Sequence, residues 1–466
     1  MQENVKKGYK AQREIDMTEG KLLPKILAFA LPLMATGVLQ LLFNAADMIV
    51  VGRFVGDTAL AAVGSTSNVV NLLVNLFMGL SIGAGIVMAK HYGAKKQQDA
   101  HELVHTAMPL SLILGIMVFA LGSSVATPLL ELLNTPESCL PLASTYLTIY
   151  FFGAPFLMVF NFGASIFRAV GDTVRPLIYL TIGGVLNVIV NLVCVLVFNL
   201  GVAGVAYATV ASQLVSAILV LRAMIIDSGY ARYEIKKSKI KKKPLLNILR
   251  LGIPSGIQGS LFSISNSLIQ STVNSFGETV LAANTASQGL EGFVFIIMNS
   301  ISTTAATAVG QNYGAGKIER IKASILRCLA CSAVMALTVS GVMFLLREPL
   351  LSLYTTNQAA IDIAVERMAI ILGTYFFFGL MDVFSQSMRG LGFSVTPMLI
   401  VLFGTCAFRI AWIYFIFPLK PVYLSVIWSY AASWILTLII AFGVFLLLYK
   451  KRKEQLTAVY QSEILE

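Results

Sequence analysis

Charged residues are scarce in this sequence of 466 residues. Asp, Glu, Lys and Arg make up 12% of it, compared with about 25% in an ordinary soluble domain. Hydrophobic residues make up 57%, and the mean hydropathy is +0.80. Apolar runs of about 20 residues, the length that spans a bilayer, recur along the chain, as at 329–346 and 427–449. We therefore exclude a soluble enzyme, a secreted disulfide-bonded domain and a nucleic-acid-binding module, and predict a polytopic all-α membrane protein.

Cysteine and histidine are scarce as well. The five cysteines show no disulfide framework, and we interpret Cys328 and Cys331, which lie in an apolar run, as small buried residues. His101 and His105, with the glutamate between them, form the HExxH pattern of zinc peptidases. A zinc site needs a third protein ligand, and His91 is the only other histidine in the sequence. An intramembrane zinc peptidase is therefore the alternative from a different class, and a polar helix start is the simpler interpretation.

Twelve apolar segments are long enough to cross a bilayer. The predicted spans are 24–50, 59–89, 101–125, 140–167, 174–199, 202–225, 245–275, 280–311, 322–347, 360–388, 395–418 and 422–449. They predict a cytoplasmic N-terminal arm (1–23), a six-helix bundle (24–225), a basic linker (226–244), a second six-helix bundle (245–449) and a cytoplasmic tail (450–466). Most of the 34 Lys and Arg residues fall on the side of the arm, linker and tail. This asymmetry predicts that both termini are cytoplasmic and that the chain is a multi-pass protein of the cell membrane.

The two halves of the sequence repeat each other. The triplet Tyr-Gly-Ala at 92–94 recurs at 313–315, and Pro-Leu-Leu at 128–130 recurs at 349–351, an offset of 221 residues in both cases. Each repeat contains six spans, an even number, so both repeats enter the membrane from the same side. We therefore predict two homologous bundles related by a pseudo-two-fold axis along the membrane normal, an arrangement found in secondary transporters.

Polar side chains within the first bundle predict a cation site. A charged residue inside a span costs about 2.5–3.5 kcal/mol on insertion scales, so such residues usually have a function. Oxygen ligands suit a proton carrier or a hard cation such as Na⁺, and hydrogen bonding that locks helix packing is the alternative. The predicted cation-coupling residues are Asp47, Gln40, Asn44, Asn161, Asn187, Asn191 and Thr209.

The second bundle contains a second polar set. Asn284, Gln288, Glu291 and Met298 follow one face of span 8, and Glu291 is expected near the bilayer midplane with a charge free to attract an organic cation. Asp382 heads a face of span 10, and pairing with an arginine seven residues along is the alternative role for it. Arg409 lies inside span 11 with no partner evident in the sequence. The predicted substrate-binding residues are Glu291, Gln288, Asn284, Met298, Asp382 and Gln386.

Several stretches resemble multidrug and toxic compound extrusion (MATE) transporters, and the resemblance covers about residues 24–449. Leu-Pro at 31–32, Phe-Asn-Ala-Ala-Asp at 43–47 and Val-Gly-Arg at 51–53 resemble the first helix of that family. The stretches at 167–173 (Phe-Arg-Ala-Val-Gly-Asp-Thr) and 388–392 (Met-Arg-Gly-Leu-Gly) resemble its paired loops after spans 4 and 10. Gln-Gly-Leu-Glu at 288–291 resembles the acidic part of span 8 in some bacterial members.

The resemblance implies export of cationic amphipathic compounds through a V-shaped cavity between the bundles, with the coupling ion on Asp47. Many members have a second Asp where this chain has Asn191, which leaves H⁺ and Na⁺ both open as the coupling ion. The span 10 acid of many members also lies about one turn from Asp382. Within transport, a flippase for lipid-linked precursors is the alternative. No GxxxxGK[ST] phosphate loop is present, so we expect an ion gradient or a partner to drive a monomeric, non-enzymatic transporter without a cofactor.

Overall fold

The computed structural model describes residues 14–132 and 135–465 of the chain. Residues 1–13 of the predicted N-terminal arm and the last residue of the predicted tail lie outside the described residues. Every regular element within the described ranges is helical, which confirms the all-α prediction. Their high apolar content explains this, because in hydrocarbon only a helix or a closed barrel satisfies all its backbone hydrogen bonds.

The helices of the first half form seven segments. They are α1 (Leu22–Phe54), α2 (Asp57–Gly93), α3 (Gln97–Leu132), α4 (Leu140–Phe152), α5 (Ala154–Ala169), α6 (Val174–Leu192) and α7 (Gly201–Ile226). A π-helical segment, Val193–Val197, follows α6, and a short 3₁₀ turn, Ile235–Lys237, lies in the basic linker.

The helices of the second half form eight segments. They are α8 (Lys242–Asn274), α9 (Glu278–Gly314), α10 (Ile318–Leu345), α11 (Arg347–Ser352), α12 (Gln358–Gly390), α13 (Val395–Val401), α14 (Phe408–Ala411) and α15 (Tyr423–Leu465). Two π-helical segments, Leu402–Ala407 and Trp412–Ile416, lie on either side of α14, and a 3₁₀ turn, Phe417–Leu419, follows.

The helices account for the predicted spans. Within the described ranges, ten helices are long and apolar enough to cross a membrane, and the bent pair α4–α5 makes an eleventh. Helix α8 occupies the position of the seventh predicted span and is 33 residues long. Its many serine, glutamine and asparagine residues make it less apolar than the others, which explains why it does not count among the eleven.

The fourth predicted span is broken, which corrects the single helix expected over 140–167. Helices α4 and α5 meet at an angle of 49°, and Pro155 lies at the start of α5. Proline has no N–H to donate to the preceding turn, so it breaks the helical hydrogen-bonding pattern here. A Cβ atom on Gly115 of α3 would lie 2.3 Å from the Cα of Pro155. The bend therefore requires a glycine on the neighbouring helix.

Packing divides the described chain into two compact units. The first unit contains residues 14–16 and Leu31–Ser260, and the second contains Met17–Ala30 and residues 261–465. The boundaries fall inside α1 and α8, so each of these long helices contributes to both units. Within the first unit, α2 and the first half of α8 meet with almost no space between their backbones. A Cβ atom on Gly79 would lie 2.1 Å from the backbone nitrogen of Gly256.

The repeat seen in the sequence extends to the backbone conformation. Three turns of the first half contain a residue with a positive φ angle that corresponds to another such residue 221 positions later. The pairs are Gly56 (114°) with Gly277 (92°), Lys95 (55°) with Gly316 (69°), and Gly171 (94°) with Gly392 (89°). Five of the six residues are glycine, the residue that adopts positive φ without steric cost.

Candidate ion and substrate sites

The first unit brings the predicted acid and one predicted amide together. Asn191 on α6 donates a hydrogen bond from Nδ2 to Oδ1 of Asp47 on α1, over 2.7 Å. One turn earlier, Asn187 donates from Nδ2 to the Thr209 hydroxyl over 3.5 Å. The two asparagines lie four residues apart and therefore share one face of the helix. Both asparagines are buried, and Asp47 is half-buried.

The buried amides leave two oxygen atoms available. Oδ1 of Asn187 and Oδ1 of Asn191 are buried and have no hydrogen-bond partner within the described part of the chain. Their amide donors are directed at Thr209 and Asp47, so the carbonyl oxygens face elsewhere. Two amide oxygens and a carboxylate form the kind of donor set that a hard cation prefers. The described residues contain no group of three or more His, Cys, Asp and Glu side chains suited to a metal ion.

Among the described residues, no hydrogen bond joins the other predicted cation-coupling residues to Asp47. Gln40 and Asn44 are exposed on α1. Asn161 is buried on α5 and donates to the carbonyl oxygen of Leu157 in its own helix, over 2.8 Å. Their role in coupling stays a prediction. Tyr146, which sequence reasoning missed, is buried beside Thr209 and near Asp47. A tyrosine in an apolar run gives no sequence signal of such proximity.

The second unit contains a buried ion pair that the sequence did not predict. Arg367 donates from Nε to Oε1 of Glu291 over 3.0 Å and from Nη2 to Oε2 over 2.7 Å. Ser287 donates a third hydrogen bond to Oε1 over 2.8 Å. Bidentate pairs of this kind are among the strongest hydrogen-bonded contacts in proteins. The expectation that Glu291 carries an uncompensated charge is therefore wrong, because α12 supplies its counter-ion.

Hydrogen bonds extend this pair into a network. Arg367 donates from Nη1 to Oδ1 of Asn284 over 2.7 Å, and the Tyr423 hydroxyl donates to the same oxygen over 3.1 Å. Asn284 in turn donates from Nδ2 to Oε1 of Gln270 over 3.1 Å, and Gln288 reaches that oxygen over 3.5 Å. Three of the predicted substrate-binding residues thus meet on α9, held by partners from α8, α12 and α15.

The remaining predicted substrate-binding residues lie further along α9 and α12. Met298 is fully buried, and its sulfur accepts a hydrogen bond from the Ser332 hydroxyl over 3.7 Å. Oε1 of Gln386 accepts from Nη1 of Arg389 over 3.1 Å. Oδ2 of Asp382 is buried and has no hydrogen-bond partner among the described residues. Asn284, Gln288 and Glu291 thus share one network, and the role of all six residues in substrate binding stays a prediction.

Arg409, which had no partner in the sequence analysis, has neutral partners in the structure. Its Nε donates to the Ser433 hydroxyl over 2.9 Å, and its Nη1 donates to Oδ1 of Asn266 over 3.2 Å. Its Cζ lies 4.2 Å from the centre of the Tyr430 ring, a cation–π contact. The side chain is fully buried.

The HExxH residues anchor the basic linker. His101 Nε2 lies 2.9 Å from the carbonyl oxygen of Gly229, and His105 Nε2 accepts from the backbone N–H of Glu234 over 3.1 Å. Glu102 pairs with Lys241 over 2.7 Å. A hydrogen bond from Lys237 holds the pKa of the Glu234 carboxyl below its usual value. All three HExxH side chains thus contact the linker region, which supports the interpretation as a polar helix start.

Repeated helical bundles with charged networks inside their spans define a polytopic membrane transporter. The MatE family model matches the chain twice, over residues 32–193 and 254–415, which together make up more than half of it. The chain therefore belongs to the MatE family, the multidrug and toxic compound extrusion transporters.

Known relatives support the same assignment. The chain is 26% identical over 445 residues to the probable multidrug resistance protein YoeA of Bacillus subtilis, covering 93% of this chain and 95% of that protein. It is 26% identical over 338 residues to the FAD transporter of Shewanella oneidensis, covering 70% and 73%. An outward-facing structure of a multidrug resistance MATE transporter superposes with a TM-score of 0.88 at 21% identity, covering 95% and 99%. The twelve-helix, two-bundle fold is confirmed, and so is a multi-pass efflux transporter that is not an enzyme.

Proposed function

We propose that this protein is a secondary antiporter that exports cationic amphipathic compounds in exchange for H⁺ or Na⁺. The observation that carries the proposal is the contact of Asp47 with Asn191, beside two buried amide oxygens that no described residue hydrogen-bonds. A carboxylate removed from water is stabilised when a cation or proton neutralises it. Binding of the ion therefore favours whichever conformation desolvates Asp47 most, and a gradient of that ion can drive the transport cycle.

The proposal includes the membrane topology, the oligomeric state and the unit that binds the exported compound. Both termini and the basic linker lie in the cytoplasm, the chain acts as a monomer in the cell membrane, and the second unit binds the exported compound. Asp382, with an oxygen that no described residue hydrogen-bonds, is the acid of that unit best placed to attract a cation. Twelve spans favour drug export over a lipid-linked precursor flippase, since such flippases tend to have additional spans.

Transport by inverted membrane vesicles tests the proposal. Inverted vesicles take up the compounds that cells export. Uptake of a panel of cationic dyes is therefore measured after a pH gradient or a Na⁺ gradient is imposed separately. We expect one of the two gradients to drive dye accumulation and the other to have little effect. Vesicles that contain a Thr338→Ala variant serve as a control, since Thr338 is exposed on α10 and belongs to neither predicted site. Equal transport without any gradient would contradict antiport.

A further inference from the structure

Arg409 is a buried cation that has no acidic partner among the described residues. Its hydrogen bonds go to Ser433 and Asn266, which are both neutral, and its Nη2 has no partner within the residues that the structure describes. The side chain is 0% exposed. A buried charge that lacks a counter-ion is strongly destabilising, so its retention calls for a compensating role.

The nearby acid is already neutralised. The Tyr430 ring lies 4.2 Å from the Arg409 Cζ and 6.0 Å from the Arg367 Cζ, so one ring contacts both guanidinium groups. Arg367 is bound to Glu291 through two hydrogen bonds. Two guanidinium groups and one carboxylate leave an excess of positive charge in this part of the second unit. Such an excess attracts an anion.

The backbone around Arg409 is unusual. Helix α14 is only four residues long and lies between the π-helical segments Leu402–Ala407 and Trp412–Ile416. Such segments are rare and frequently mark functional sites. The π-helical segment Val193–Val197 of the first unit follows Asn191 on the helix that corresponds to this one in the repeat. The fifth span of the first unit thus contains Asn187 and Asn191 of the predicted cation site, and the corresponding span of the second unit contains Arg409.

We propose that the second unit binds a carboxylate or phosphate group of an aromatic transported compound at Arg409. A guanidinium presents a planar fork that matches both oxyanions. Phe262, Tyr430 and Trp434 surround it with aromatic rings, centred 5.7, 4.2 and 5.8 Å from its Cζ. Phe262, Tyr430 and Asn266 are only half-buried, whereas Arg409 is fully buried. An oxyanion that enters from solvent therefore reaches Arg409 by displacing these three side chains. The inference rests on the proposed export function and extends its substrates to aromatic compounds that contain a carboxylate or phosphate group.

Two matched pairs of probes test the proposal on the purified full-length protein in detergent. Riboflavin 5′-phosphate and riboflavin differ by the phosphate, and a fluoroquinolone and its ethyl ester differ by the carboxylate. Binding is followed by fluorescence anisotropy. We expect the wild type to bind the anion of at least one pair about tenfold more tightly than its partner, as charge-assisted hydrogen bonds allow. A preference in only one pair identifies the phosphate or the carboxylate as the group that is bound.

Variants then locate the site. Arg409→Gln should abolish the preference, and Arg409→Lys, which keeps the charge and loses the fork, should retain part of it. Arg327→Gln makes the same change of charge at an exposed position of α10 and should leave the preference intact. Equal affinities within both pairs for the wild type would overturn the proposal, even if Arg409→Gln fails to fold. An unchanged preference in Arg409→Gln would also overturn it. No gradient is used, so a failure of antiport does not affect the result.

Discussion

Single residues in the two units compensate buried charge in different ways. Asp47 receives a hydrogen bond from the neutral amide of Asn191, and no ion pair to it occurs among the described residues. Glu291 receives two hydrogen bonds from the guanidinium of Arg367. A carboxylate without a cationic partner gains most from a bound proton or Na⁺, whereas one that already has a guanidinium gains little. The coupling ion is therefore expected in the first unit.

Removing the charge of Asp47 tests this expectation. Asp47→Asn keeps the shape of the side chain and removes the group that binds the ion. We expect gradient-driven efflux to be lost while the protein is still produced and folded, as measured by dye efflux and by size-exclusion chromatography. Efflux at a rate near that of the wild type would show that Asp47 does not couple transport.

Adding a second acid next to Asp47 should change the dependence on the ion. In Asn191→Asp, two carboxylates would lie within hydrogen-bond distance, and their repulsion disfavours ionisation of both unless a cation lies between them. We expect efflux to depend more steeply on Na⁺ or to reach half its maximum at a higher pH. Asn357→Asp makes the same change at the exposed residue before α12, outside the predicted ion site, and serves as the control. An unchanged ion dependence and pH profile would place Asn191 outside the site.

The buried ion pair of the second unit should matter for stability. Glu291→Gln leaves the Arg367 charge without a counter-ion, which costs about 3–5 kcal/mol when a buried pair is broken. Replacing both residues with methionine removes both charges and should cost less than the single change. Thermal unfolding of the purified variants in detergent measures this. A double variant that is less stable than Glu291→Gln would show that the pair stabilises the fold beyond charge compensation.

At the scale of helices, glycines set how closely two helices pack, and a proline sets where one span bends. The glycine of α2 at position 79 allows direct backbone contact with α8, and Pro155 separates α4 from α5. Inside a membrane, such close packing replaces the hydrophobic driving force that holds soluble helices together. Helix contacts of this kind are sensitive to a single added methyl group.

Two glycines of α2 give a matched test of that sensitivity. A Cβ atom on Gly79 would overlap the backbone of Gly256, whereas a Cβ atom on Gly64 would have nothing within 4 Å. We expect Gly79→Ala to destabilise the protein by about 1–3 kcal/mol through overpacking. Gly64→Ala should be neutral or stabilising by about 0.5–1 kcal/mol, because alanine favours helix. Equal melting temperatures for the two variants would show that α2 and α8 separate easily.

Charge is distributed unevenly over the whole molecule, and this distribution predicts its orientation. The basic linker contains Lys236, which is exposed, and the predicted outer loop contains Gln358, which is also exposed. In a chain with its five native cysteines replaced, Lys236→Cys should react with an impermeant thiol reagent only in inverted vesicles. Gln358→Cys should react only in intact cells. The reverse pattern would contradict cytoplasmic termini.

Composition and periodicity by themselves determined the all-α membrane class and the two six-helix repeats, and they singled out Asp47 and Asn191 as candidates for one site. These features depend on local hydropathy and on spacing along one helix, which a sequence displays directly. Asp47 and Asn191 were predicted to belong to one cation site, and the structure brings the two side chains into contact. The break at Pro155 was missed, since proline at a span centre can be tolerated without a large bend.

Partners on distant helices were decided only by the tertiary structure. Arg367 lies 76 residues from Glu291 in the chain, and nothing in the intervening sequence indicates that the two side chains meet. The same holds for Arg409, whose partners come from α8 and α15. A charge in a span reveals that compensation is needed, but which group supplies it depends on how helices rotate and pack against each other. That rotation is set by side-chain packing over many residues, so the free acid expected at Glu291 became half of an ion pair.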